Sequence, residues 1–125
     1  MWGATIETEA LDGRVVEHLC EALVAINVDY LRAAPHTPSL YAAGVRYERE
    51  PRGQEKWAAI PVVRARAAGD CEDLACWRVA ELRVGGDVSA RAVWRSQRTP
   101  RGWLYHVLVQ HGDGQIEDPS RRLGM

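Results

Sequence analysis

In the first third of the chain, apolar residues recur at helical spacing. Val15, Leu19, Cys20, Leu23, Ile26 and Tyr30 share one side of a helix expected from Arg14 to Ala33, with Glu17, Glu21 and Asp29 on other faces. Asp12 is placed to cap this helix and Pro35 to stop it. The stretch before it, Trp2 to Gly13, is polar and weakly patterned, a short lead-in. After a loop at His36-Thr37-Pro38-Ser39, Val45 to Glu50 alternates apolar and charged residues and predicts a short strand ended by Pro51-Arg52-Gly53. Gln54 to Ala59 reads as one helical turn, and Pro61 to Ala68 as loop and helix. A second helix is expected from Asp70-Cys71-Glu72-Asp73 to about Arg83, one side buried, with Gly85-Gly86 at its end. Beyond it the period falls to two. Ala90 to Ser96, Gly102 to Gln110 and Gln115 to Asp118 read as strands, the last two joined by the turn His111-Gly112-Asp113-Gly114 with its Asp-Gly hairpin signal. Connections this short favour antiparallel neighbours. The expected architecture is α+β, a single domain over residues 1–125, with the second helix packed on a short antiparallel sheet.

Composition narrows the class. Hydrophobic residues at 46% and charged residues at 26% suit a globular domain and disfavour long disorder. A net charge of −1 argues against a strongly basic nucleic-acid binder but leaves room for a local basic patch. No apolar run approaches the roughly 20 residues of a membrane span, and the start has no basic region followed by an apolar stretch. The expectation is a cytoplasmic protein with no membrane partner and no nucleic-acid partner. The three cysteines, Cys20, Cys71 and Cys76, are odd in number and form no CxxC pair, which disfavours a disulfide framework and a zinc ribbon. Cys20 and Cys76 read as buried apolar residues; Trp77 reads as core, His18 as surface or packing, and His111 as solvent-exposed.

Cys71 is placed differently. It opens the second helix, where the macrodipole stabilises a thiolate, although three neighbouring carboxylates oppose this if they point the same way. His106 lies in an apolar strand, and Asp118 sits on the next strand across a tight turn. Antiparallel neighbours on one face approach within about 5 Å, so the carboxylate can hold the imidazole while the other ring nitrogen serves a thiol. Nucleophile, base and orienter are then all supplied. The same ligand types also suit zinc; the reading taken is the triad, with no metal and no cofactor expected. For the oxyanion, the Cys71 backbone N–H is one candidate donor, and Gln54 or Trp57 a second. Trp103 and Tyr105 flank the histidine and are candidates for a substrate groove. Glu72 and Asp73 either select a positively charged substrate or cation, or simply stabilise the helix start. Arg121 and Arg122 are read as an exposed tail.

Gly69-Asp70-Cys71-Glu72-Asp73-Leu74-Ala75 resembles the cysteine motif of transglutaminase-like proteins. Tyr105-His106-Val107-Leu108-Val109 and Asp118-Pro119-Ser120 resemble that superfamily's histidine and aspartate motifs. Leu40-Tyr41, Gly44-Val45-Arg46-Tyr47 and the ending Glu117 to Met125 are similar to small transglutaminase-like proteins of bacteriophages and bacteria. The resemblance implies a papain-like core and a Cys71–His106–Asp118 triad. The expected function is a cysteine peptidase, amidase or transglutaminase-like acyltransferase acting on a protein or peptide through a thioacyl-enzyme. The alternative is a catalytically silent member with a binding or phage-assembly partner, in the host cytoplasm or the virion.

Overall fold

The structure, a computed structural model, describes residues 3–6, 13–50 and 55–125; of residues 3–6, 55, 56, 97 and 103 it describes the backbone alone. The fold is mixed α+β, with helices packed on small sheets. Strand β1 (Gly3–Ile6) precedes helix α1 (Gly13–Ala33) and a 3₁₀ turn (Leu40–Ala42); β2 (Arg46–Tyr47), β3 (Glu55–Ala58), α2 (Ile60–Arg66) and β4 (Ala68–Gly69) then lead to α3 (Cys71–Val84). The chain closes with β5 (Arg91–Thr99), β6 (Gly102–Gln110), β7 (Ile116–Glu117) and α4 (Pro119–Arg122).

The long helices and the meander lie where the pattern placed them, because their signals are local. Helix α1 buries Val16, Cys20, Leu23, Val24 and Asn27, a stripe at helical spacing. That stripe is rotated from the expected one: Val15 is exposed and Val16 is buried. The proposed cap Asp12 lies outside the described residues. Strands β5, β6 and β7 form an antiparallel meander in that order. In the turn, the His111 amide donates to the Gln115 carbonyl and the Gly114 amide to that of His111.

The middle of the chain departs from expectation. Glu55–Ala58 is a strand, not a helical turn, and it pairs antiparallel with Gly3–Ile6 inside the supposed lead-in, Gly3 opposite Ala58. The expected strand 45–50 shrinks to Arg46–Tyr47, paired in parallel with Ala68–Gly69; its proposed terminator, residues 51–53, lies outside the described residues. The third strand of the meander stops at Glu117, because Pro119 opens α4 and Asp118 becomes that helix's N-cap, accepting from the Arg121 amide.

Helix α3 is the partition of the core. One side, with Ala75, Cys76 and Val79, packs with the α1 stripe and with Ala92, Val107 and Val109 of the sheet. The other side, with Leu74 and Trp77, packs with Leu40, Val45, Ile60 and Val63. A helix enclosed on both sides need not be amphipathic. Its start is pinned by a capping box: Asp70 caps Cys71, and Asp73 accepts from the Asp70 amide at 3.2 Å. Gly69 precedes it because a Cβ there would lie 3.1 Å from both the Asp73 Cβ and the Leu74 Cδ2. Among the described residues, no helix is long and apolar enough to cross a membrane.

Candidate active site

The start of α3 meets β6 beside the end of β7. Trp94, on the outer strand, turns its amide away from β6 to donate to Glu17 at 2.8 Å. Its register partner Val107 therefore makes no ladder bond to it and presents its amide to the opposite side. That side is open beyond Glu117, where β7 ends, and there the Val107 amide donates to the Cys71 sulfur.

His106, the residue before Val107, is held by Asp118. Its Nε2 lies 3.0 Å from both carboxylate oxygens, in a half-buried position. A ring nitrogen facing a carboxylate carries the proton and donates, so Nδ1 is left as the basic nitrogen. Glu117, the neighbour, faces elsewhere. It accepts from the Tyr41 hydroxyl, from Arg78 Nε at 2.7 Å and from His111 Nε2 at 2.8 Å. Burial alone would raise the Glu117 carboxyl; these three donors outweigh it and hold the group below its ordinary range. His111 is thus partnered and half-buried, not simply solvent-exposed as expected.

The Cys71–His106 leg is not closed. The buried thiol donates to Glu72 Oε2 at 3.3 Å, and no hydrogen bond joins it to His106. Burial pushes the thiol well above its ordinary value, and the Glu72 and Asp70 carboxylates push it further. The Val107 amide pulls the other way. Cys20 and Cys76 are buried and unpaired, with the Cys76 thiol donating to the Cys20 carbonyl at 3.7 Å.

Several expected roles change. Glu72 and Asp73 are only 1% and 0% exposed, so neither forms the wall of an open groove. Asp73 is a structural bolt: it accepts from the Ala58 amide at 2.8 Å as well as from Asp70, tying β3 to the start of α3. Burial drives its carboxyl up to about 8, against those two amides. The Cys71 backbone N–H, expected for the oxyanion, is taken by Asp70 Oδ1 at 2.7 Å. Trp57 is buried in the same apolar cluster as Cys71, and its indole N–H has no acceptor among the described residues. Gln54 lies outside the described residues. Tyr105 stacks on Trp94 with ring centroids 4.7 Å apart, on the strand face opposite His106. The backbone of Trp103 pairs with Arg98, and its side chain lies outside the described residues. Arg121 is no idle tail residue, since its Nε lies 3.5 Å from Asp118. Arg122 covers the Tyr41 ring, 4.0 Å from its centroid.

Cys71, His106 and Asp118 do not gather as a metal-ligand group among the described residues. Asp70, Cys71 and Glu72 do, with ligand atoms within 4.8 Å of one another. Those atoms already serve the fold, Asp70 as the helix cap and Glu72 as the thiol's acceptor. Sequence reasoning missed Glu72 as the thiol's partner and Val107 as its amide donor. A carboxylate at a helix start is ordinarily read as exposed, and a backbone donor leaves no trace in residue type. Comparison with protein-family models, curated proteins and solved structures finds no match to this chain.

Proposed function

We propose that the chain is a transglutaminase-like thiol enzyme with a papain-like core, acting on amide bonds through Cys71, His106 and Asp118. The observation that carries this reading is the placement of His106. Asp118 holds Nε2 at 3.0 Å, and the next amide along β6 meets the Cys71 sulfur at a helix N-terminus. In the proposed reaction the thiol turns from Glu72 to His106 Nδ1, which takes its proton. The sulfur bonds to the substrate carbonyl carbon, and the tetrahedral oxyanion draws on the indole N–H of Trp57, which has no acceptor among the described residues. His106 returns the proton to the leaving nitrogen as the C–N bond breaks. Water, deprotonated by His106, then releases the acid from the thioacyl-enzyme; an amine in its place gives transamidation.

The test is a panel of acyl-directed thiol probes on wild type and Cys71→Ala, with iodoacetamide labelling of Cys71, Cys20 and Cys76 followed against pH. Labelling confined to Cys71 and dependent on His106 supports the reading. Uniform, slow labelling of all three thiols overturns it. One observation favours a second reading: the thiol is buried, raised and bound to Glu72, as suits a catalytically silent binding or assembly protein. Uniform labelling of a folded protein is the result which that reading expects.

A further inference from the structure

Resting on that acyl-transfer reading, we propose that Asp73 is a positioning residue: it holds the strand of Trp57, the proposed oxyanion donor, in register with the helix start that carries Cys71. Asp73 is a fully buried carboxylate at the third position of α3, and no step of the proposed reaction uses it. Its two oxygens serve two different chain segments. Oδ2 accepts from the amide of Asp70, the residue before Cys71, at 3.2 Å. Oδ1 accepts from the amide of Ala58, the residue after Trp57, at 2.8 Å. The capping box is complete with the first of these bonds. The second does nothing for the cap; it joins the nucleophile's segment to the oxyanion donor's segment through one planar group.

Strand β3 is held on its other side by β1, with Trp57 opposite Ala4 and Ala58 opposite Gly3. The Ala58 amide points away from that ladder, since it donates to Asp73. The strand that carries Trp57 is thus fixed by a four-residue ladder on one edge and by Asp73 on the other. The Trp57 ring is buried in the apolar cluster that includes Cys71. Close packing fixes the ring to its strand, and Asp73 fixes the strand to the nucleophile's helix. Such a tie matters because an oxyanion donor works only within about 2.7–3.1 Å of the developing charge. A misplacement on the order of 1 Å can cost about 10²-fold in rate.

The test compares two reactions of the same sulfur. With p-nitrophenyl acetate the sulfur adds to the carbonyl carbon, and the tetrahedral oxyanion collapses to a thioester and nitrophenolate, read as a burst. With iodoacetamide the sulfur displaces iodide and no oxyanion forms. Both rates are taken by difference from Cys71→Ala at pH 9, where the Asp73 carboxyl, held at about 8 by burial, is ionised and both oxygens accept. The readout is the ratio of acylation to alkylation. Asp73→Asn turns an N–H₂ group toward one of the two amide donors and should lower the ratio about 10–100-fold. Ala58→Pro removes only the tie to β3, spares the β1 ladder and keeps the capping box; it should lower the ratio by a similar factor. Trp57→Phe should lower it about 10²-fold, and Asp73→Asn should add little in that background. Val79→Ala, a core truncation further along α3, should lose stability and keep the ratio. An unchanged ratio in folded Asp73→Asn, Ala58→Pro or Trp57→Phe overturns the proposal. So does a full-sized effect of Asp73→Asn in the Trp57→Phe background. If Asp73→Asn does not fold, Ala58→Pro decides. A wild type that is alkylated at Cys71 but gives no Cys71-dependent burst fails the acyl-transfer reading itself, and this proposal with it.

Discussion

Glu117 and Asp118 are consecutive carboxylates with separate tasks, so their isosteric amides should fail in different assays. Glu117→Gln exchanges an ionised acceptor for a neutral one against Tyr41 and Arg78, and its new N–H₂ faces His111, which can accept in its neutral form. Arg78 keeps Glu81 at 3.2 Å. The net loss is about one charge-assisted bond, roughly 1.5–3 kcal/mol. At ~2.1 cal/mol/K per residue a chain of 125 residues loses about 4 °C per kcal/mol, so the thermal midpoint should fall by roughly 6–11 °C. Asp118→Asn keeps a good N-cap and one oxygen for His106, so stability should change by less than ~0.5 kcal/mol. It also weakens the hold on the Nε2-protonated imidazole, and turnover should drop by as much as ~10⁴, as in a serine triad. Calorimetry gives the first quantity and single-turnover labelling of Cys71 the second. A Glu117→Gln variant that labels more slowly than Asp118→Asn, at a temperature where both are folded, would refute the assignment of Asp118 as orienter.

Three further outcomes are expected. Removing the charge beside the thiol with Glu72→Gln should lower the Cys71 pKa, so the alkylation rate should rise at lower pH than in wild type; an unchanged profile contradicts the Cys71–Glu72 contact. Asp73 is held up at about 8 by burial, against an ordinary 3.8. The folded state then keeps a proton that the unfolded chain releases, so stability should fall as pH rises from about 4 to about 8 and level off above. Urea midpoints should show this slope in wild type and a flatter one in Asp73→Asn. Gly69→Ala pushes a methyl against Asp73 and Leu74, which should cost about 1–3 kcal/mol by urea denaturation.

What the sequence revealed follows how far apart the interacting residues are. Helix α3 and the meander were legible because a cap, a Gly-Gly stop, an Asp-Gly turn and strict alternation lie within a few residues of what they control. The β1–β3 pair was not. Each strand has four residues, neither alternates visibly, and their partners lie some fifty positions apart. The same rule holds in the site. His106 and Asp118 are twelve residues apart across a predictable hairpin and were read correctly as neighbours, although Pro119 makes Asp118 a helix cap and not a strand residue. Glu72 was misread because its burial depends on α1, β3 and the sheet enclosing α3 together, which no local pattern encodes.

Because both halves of the core close on α3, the helix that carries Cys71 has no independent route to solvent. A local opening that bared Cys76 would have to part the α1 stripe from the sheet, which amounts to dissolving the domain. Thiol exchange at Cys20 and Cys76 should therefore run in the slow class of native-state openings, with an opening free energy equal to that of global unfolding. Those two sulfurs make an internal clock. Any exchange at Cys71 faster than theirs proceeds without global unfolding of the domain.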